Sequence, residues 1–180
     1  MKKQSAGILL YRLKNRVLEV LLVHPGGPFW AKKDMGSWSI PKGEFIEGEE
    51  ALSAAKREFL EETGIEIIEN LLALSPIKQK SGKIVYAWAL EKDVDADKIK
   101  SNTFELEWPP KSGQVKEFPE IDKGEWFDVP TAKQKFNEHQ VAFLDELIAK
   151  LGLDESLLGA NPDKTKPKSN NDGPVQLDLF

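Results

Sequence analysis

The sequence predicts an α+β chain of the α/β/α sandwich type. Three observations carry that expectation. Short β-compatible apolar runs recur between turn residues at 5–13, 17–24 and 82–92; one segment between Glu49 and Gly64 strongly favours helix; and an apolar stripe at helical spacing occupies 136–151. Of the 180 residues, 40% are hydrophobic, enough for one core of ordinary size, so we expect a single domain over 1–158 followed by a tail over 159–180.

Taken in order, residues 5–13 and 17–24 form a hairpin pattern around the polar turn at Lys14, Asn15 and Arg16, and are expected as central strands. Residues 25–36 carry turn residues at both ends and the aromatic pair Phe29 and Trp30, which marks an exposed loop beside the site. The stretch 37–42 is short and extended, because Pro41 forces Ile40 away from helix. Residues 66–75 and 82–92 read as a second hairpin, 93–100 as a polar connection and 103–108 as a strand. An irregular stretch follows over 109–124, then a strand over 125–129. Pro130 opens a helical region whose stripe comprises Phe136, Val141, Phe143, Leu144, Leu147, Ile148 and Leu151, with Asn137 as a candidate cap.

Bulk properties exclude several functions. A net charge of −5 gives no electrostatic footprint for direct nucleic-acid or membrane-surface binding, so an anionic substrate needs locally placed cations. The absence of cysteine rules out disulfides and thiolate zinc sites. The apolar run near the basic N-terminus is too short for a signal-peptide core, and a cytoplasmic location is expected.

The chemistry gathers in residues 43–65, which read as a glycine-containing loop and then a helix closed by Gly64. At about 100° per residue, Glu58, Glu61 and Glu62 share one narrow face, beside an apolar stripe of Leu52, Ala55 and Phe59. Carboxylates within one turn repel, and hard divalent cations are their natural partners: Mg²⁺ takes oxygen ligands and is usually shared with substrate phosphates. Arg57 adjoins this face and can pair with Glu61 at the next turn.

Gly43, Glu49, Arg57, Glu58, Phe59, Glu61, Glu62, Gly64 and Ile65 fill every fixed position of the Nudix box at its spacing, and the chain resembles that family over roughly residues 5 to 151. The resemblance implies a mixed sheet between helices, with the box as a loop-helix-loop motif. It also implies Mg²⁺- or Mn²⁺-dependent hydrolysis of a nucleoside diphosphate linked to another moiety. Glu58, Glu61 and Glu62 then bind metal with help from the Gly43 carbonyl, and Arg57 orients a carboxylate. The general base is a box glutamate or a later one, Glu120 or Glu125, of which Glu120 is preferred because it lies in the irregular stretch.

Lys42, directly before Gly43, supplies a point charge for an extra phosphate. The stretch Trp38-Ser39-Ile40-Pro41-Lys42-Gly43 is similar to that of Nudix enzymes acting on dinucleoside polyphosphates and diphosphoinositol polyphosphates. A dinucleoside polyphosphate such as diadenosine tetraphosphate is therefore the expected substrate. Alternatives are pyrophosphohydrolysis of nucleoside triphosphates, oxidised ones included, in a MutT-like nucleotide-cleaning role, or a binding module without turnover. Phe29, Trp30 and Trp38 are candidate base-stacking residues, with Tyr86 a further one whose shared strand parity with Trp88 fits core better.

The final pentapeptide Gln176, Leu177, Asp178, Leu179 and Phe180 follows a polar stretch and resembles the peptide by which bacterial polymerases and repair proteins dock on the DNA sliding clamp. The sequence-based expectation is a disordered linker from 159 onward that delivers this peptide to a clamp.

Overall fold

The structure is a computed structural model and describes residues 3–159. The apolar N-terminal runs form β1 (Gln4–Lys14) and β2 (Val17–Pro25), antiparallel with Lys14 opposite Val17. The connecting residues Asn15 and Arg16 both take positive φ, 51° and 65°, as the twist-matched two-residue hairpin turn demands. The remaining strands are β3 (Lys42–Phe45), β4 (Leu72–Lys78), β5 (Ile84–Glu91), β6 (Thr103–Glu107), β7 (Val115–Pro119) and β8 (Ile121–Asp128). The described residues also form three α-helices: α1 (Ala51–Thr63), α2 (Val129–Lys135) and α3 (Val141–Leu151).

The main sheet runs β4-β5-β1-β2-β8, with β3 also paired to β1; it is mixed because β1 and β5 are parallel while the other pairs are antiparallel. Alternation along β1 explains the sandwich. Ala6, Ile8 and Leu10 face Ala54, Ala55 and Phe59 of α1, whereas Leu9 faces the layer holding Phe143, Leu144 and Leu147 of α3. Both faces are covered, so the strand reads as a nearly continuous apolar run. The fold is the α+β sandwich, a mixed sheet between helices, that the sequence predicts.

Helix α1 sits within the predicted bounds. Glu50 caps it by accepting from the backbone N–H groups of Leu52 and Ser53, and Gly64 ends it at φ 74°. Asn137 also caps, but the turn it caps is the short 3₁₀ segment Glu138–Gln140, so the predicted helical region is divided into α2 and α3.

Two expectations are corrected. Residues 66–71 form no strand; β4 starts at Leu72 and tolerates Pro76 because it is an edge strand with a register break between Leu74 and Ile77. The stretch 109–124, expected to be irregular, contains β7 and the start of β8. Strand β7 lacked a sequence signal because four of its five residues are exposed and its pattern is not alternating.

Candidate active site

Sheet geometry delivers the box loop to helix α1. Ser39 exchanges two backbone hydrogen bonds with Val23 (2.9 and 3.0 Å), and β3 then pairs Lys42 with Gly7 and Gly43 with Ala6. Gly43 consequently lies beneath α1, where any Cβ would overlap the Glu58 carboxylate. The backbone N–H of Lys42 donates to Glu62 Oε2 at 2.8 Å, joining the loop to the helix a second time.

Arg57 organises the carboxylates. Its Nε and Nη2 donate to the two oxygens of Glu49 at 3.0 and 3.2 Å, and Nη1 donates to Glu58 at 2.6 Å and more weakly to Glu61 at 3.4 Å. The Arg57–Glu61 pair is the one legible at helical spacing. The stronger, forked pairing with Glu49 was not, because it crosses from the loop to the helix. Hydrogen bonding to Glu49 is also the main influence raising the Arg57 pKa, against the opposing effect of burial.

The carboxylates are held under electrostatic tension. Burial pushes Glu62 up to about 8 despite the Lys42 N–H, and burial likewise raises Glu58 against the pull of Arg57. Glu120 is raised first by burial and then by repulsion from Glu61, and its own charge acts on Glu58 and Glu62. Burial lowers the pKa of Lys42, and Lys83, just before β5, lowers it further, while Glu62, Glu44 and Glu58 draw it up.

The two sequence-predicted late glutamates therefore part company. Glu120 joins the box through Asn102: its N–H donates to Asn102 O at 2.9 Å, and Asn102 N–H donates to the backbone O of Glu61 at 2.8 Å. Glu125 pairs in register with Leu22, whose side chain packs in the layer beneath α2 and α3, so Glu125 stands on the sheet face opposite α1, ion-paired with Lys123.

The aromatic candidates also divide. Trp38, expected as an exposed loop residue, is 3% exposed; it packs against His24 and Phe127 with ring centroids 5.2 and 4.9 Å away, and its indole N–H donates to Asp34 at 2.9 Å. Its segment is extended as the sequence predicts, and its bridge to Phe136 folds the ring into the core. Tyr86 packs edge-on to Phe45 at 5.9 Å in the layer beneath α1, so the core alternative describes its position. Phe29 and Trp30 remain open, at 59% and 38% exposure.

Among the described residues, no three Asp, Glu, His or Cys side chains close around a common point. The donor set nevertheless fits a hard divalent cation. Oxygen ligands are gathered, burial and mutual repulsion strain their charges, and a close-approach glycine presents its backbone to Glu58. Mg²⁺ commonly takes only one or two protein carboxylates and completes its shell with water and substrate phosphate, so a closed protein cage is not required. No described helix is long and apolar enough to cross a membrane. The pentapeptide 176–180 lies outside the described residues.

Comparison with known proteins agrees with this architecture. Among curated proteins, none matches the chain. Solved structures similar to it include a binary complex of the Caenorhabditis elegans Ap4A hydrolase (22% identity, TM-score 0.58, 82% of this chain and 98% of that one). They also include a MutT/nudix family protein from Listeria innocua (17%, TM-score 0.56, 83% and 94%). A third is the NUDIX domain of Shewanella oneidensis NrtR with ADP ribose (14%, TM-score 0.55, 85% and 90%). These identities speak for the fold alone. The NUDIX domain family model matches residues 1–147, and with the complete box running from Gly43 in β3 through α1 to Ile65 this chain belongs to the Nudix family.

Proposed function

We propose that this chain is a divalent-metal-dependent pyrophosphohydrolase that cleaves a phosphoanhydride bond of a nucleoside diphosphate derivative, with dinucleoside polyphosphates such as diadenosine tetraphosphate as its main substrates. The observation that carries this is the meeting of Glu120 with Glu58, Glu61 and Glu62 across the Asn102 bridge, beside the desolvated Lys42. Mg²⁺ or Mn²⁺, held by Glu58, Glu61 and Glu62 with the Gly43 carbonyl, supplies charge neutralisation on the phosphoryl oxygens.

The chain's own residues do the rest. Glu120, whose pKa burial and Glu61 raise, takes the proton of the attacking water. Arg57 positions Glu49, Glu58 and Glu61. Lys42, with Lys83 near it, offers positive charge to a phosphate chain longer than a diphosphate, which supports polyphosphate over shorter substrates. Lys83 was not recognised in the sequence because only the parallel pairing of β1 with β5 brings it beside β3.

Incubation with a nucleotide panel and Mg²⁺, followed by chromatography of products, tests this function. Preferred cleavage of diadenosine tetraphosphate is expected. Preference for nucleoside triphosphates would replace the substrate, and no phosphate product from any nucleotide would leave a binding module.

The tail adds a separate element. Gln176 to Phe180 offers two leucines and a phenylalanine to an apolar pocket with Gln176 at its rim, the pattern of a clamp-docking peptide. Titration of purified bacterial clamp with the full chain and with a version lacking these five residues tests it; equal binding by both, or by neither, removes it.

A further inference from the structure

The ribbon of β6 and β7 pairs only with itself and joins no strand of the main sheet among the described residues. A lone two-stranded ribbon is marginal in water, so what pins it matters. Its root is fastened to the carboxylate site: Asn102 N–H donates to the Glu61 backbone, Glu120 N–H to Asn102, and Gly26 N–H to the Glu120 backbone at 2.8 Å.

Alternation puts Phe104 and Leu106 on one face, with Phe118 paired to Phe104 on the same side, and Trp108 follows directly after β6. That face turns toward the loop after β2. Gly27, at φ +86°, lies where a Cβ would be 3.0 Å from the Phe104 ring, and Phe29 meets Trp108 edge-on with centroids 5.3 Å apart. The loop also carries Trp30, with the Lys33 ammonium 4.5 Å from its ring centroid. If these rings served only to hold the ribbon down, Phe29 would be covered; instead 59% of it is open. Phe29 is three residues from Gly26, hence at most about 11 Å from the residue bonded to Glu120.

We propose that Phe29 and Trp108 form a stacking shelf for the nucleobase of the substrate, an inference that rests on the pyrophosphohydrolase function above. The aromatic faces receive the base while the phosphates lie at Glu58, Glu61 and Glu62. Recognition through stacking tolerates any base, because each presents a π-face. The sequence predicts the strand at 103–108, but neither its pairing with β7 nor the contact of Trp108 with Phe29, which spans 79 positions.

The test is equilibrium binding of AMP and of ribose 5-phosphate, the same phosphosugar without a base, to the full chain with Mg²⁺. AMP is expected to bind about tenfold more tightly. Phe29→Ala, at an exposed position that the fold tolerates, should bring AMP to the level of ribose 5-phosphate without changing the latter, and Trp108→Leu should do the same. Equal binding of the two ligands by the unaltered protein, binding of neither, or retention of the AMP preference in both variants would overturn the shelf. Loss of the preference in the variants, in a protein that hydrolyses no nucleotide, would keep the shelf and remove only the enzymatic function.

Discussion

The backbone N–H of Lys42 donates to Glu62 Oε2 at 2.8 Å, so the residue just before the box loop and the last carboxylate of the box helix form one unit. Burial raises Glu62 and lowers Lys42, which means both groups are desolvated in the metal-free fold and each is stabilised in its charged form by the other.

The sign of the resulting pH dependence follows directly. The folded pKa of Glu62 is raised from 4.5 to about 8, so its contribution to stability is fully present below about 4.5 and is lost as pH rises through about 8. Metal-free protein should therefore lose stability across that window. In Glu62→Gln this loss should be smaller, as read by denaturant unfolding at pH 5 and pH 8. Mg²⁺ should raise the melting temperature more at pH 8 than at pH 5 in the unaltered protein. Activity of the variant should fall by orders of magnitude, because a metal ligand has lost its charge.

Glu120→Gln and Glu125→Gln separate the two late glutamates. Since Glu120 meets the box through Asn102 while Glu125 stands on the opposite sheet face, kcat should drop at least about tenfold in the first and change less than about twofold in the second. A normal kcat in both would assign the base to a box glutamate.

Gly43→Ala introduces a Cβ into the Glu58 carboxylate, which can turn aside only by giving up the hydrogen bond from Arg57 Nη1 at 2.6 Å. A stability loss of about 1–3 kcal/mol in chemical denaturation is expected, as for overpacking elsewhere, with a fall in kcat. Unchanged stability would mean that Glu58 swings aside freely.

Lys42→Met keeps the length of the side chain and removes a desolvated charge. KM for diadenosine tetraphosphate should rise about tenfold, with a smaller rise for ADP-ribose, whose phosphate chain is shorter; stability should not fall, because burial already disfavours the ammonium. Equal effects on both substrates would reduce Lys42 to a general anion contact.

The sequence by itself determined the box, its helix with the Gly64 stop, and the central hairpin. Those features are local: Glu58, Glu61 and Glu62 share a face because of helical period, Gly64 ends the helix through its φ, and Asn15 with Arg16 makes a turn within its own neighbours. Tertiary structure decided the rest. The pairing of β1 with β5 puts Lys83 near Lys42, the β2–β8 register sends Glu125 to the far face, and the Asn102 bridge brings Glu120 to Glu61 across some 60 residues. Trp38 shows the same division from the other side: the sequence predicts its extended segment, but its bridge to Phe136 decides that the ring is buried against His24 and Phe127. Local sequence encodes period and turn, whereas which faces meet depends on strand register, and a shift of one residue reverses every side chain.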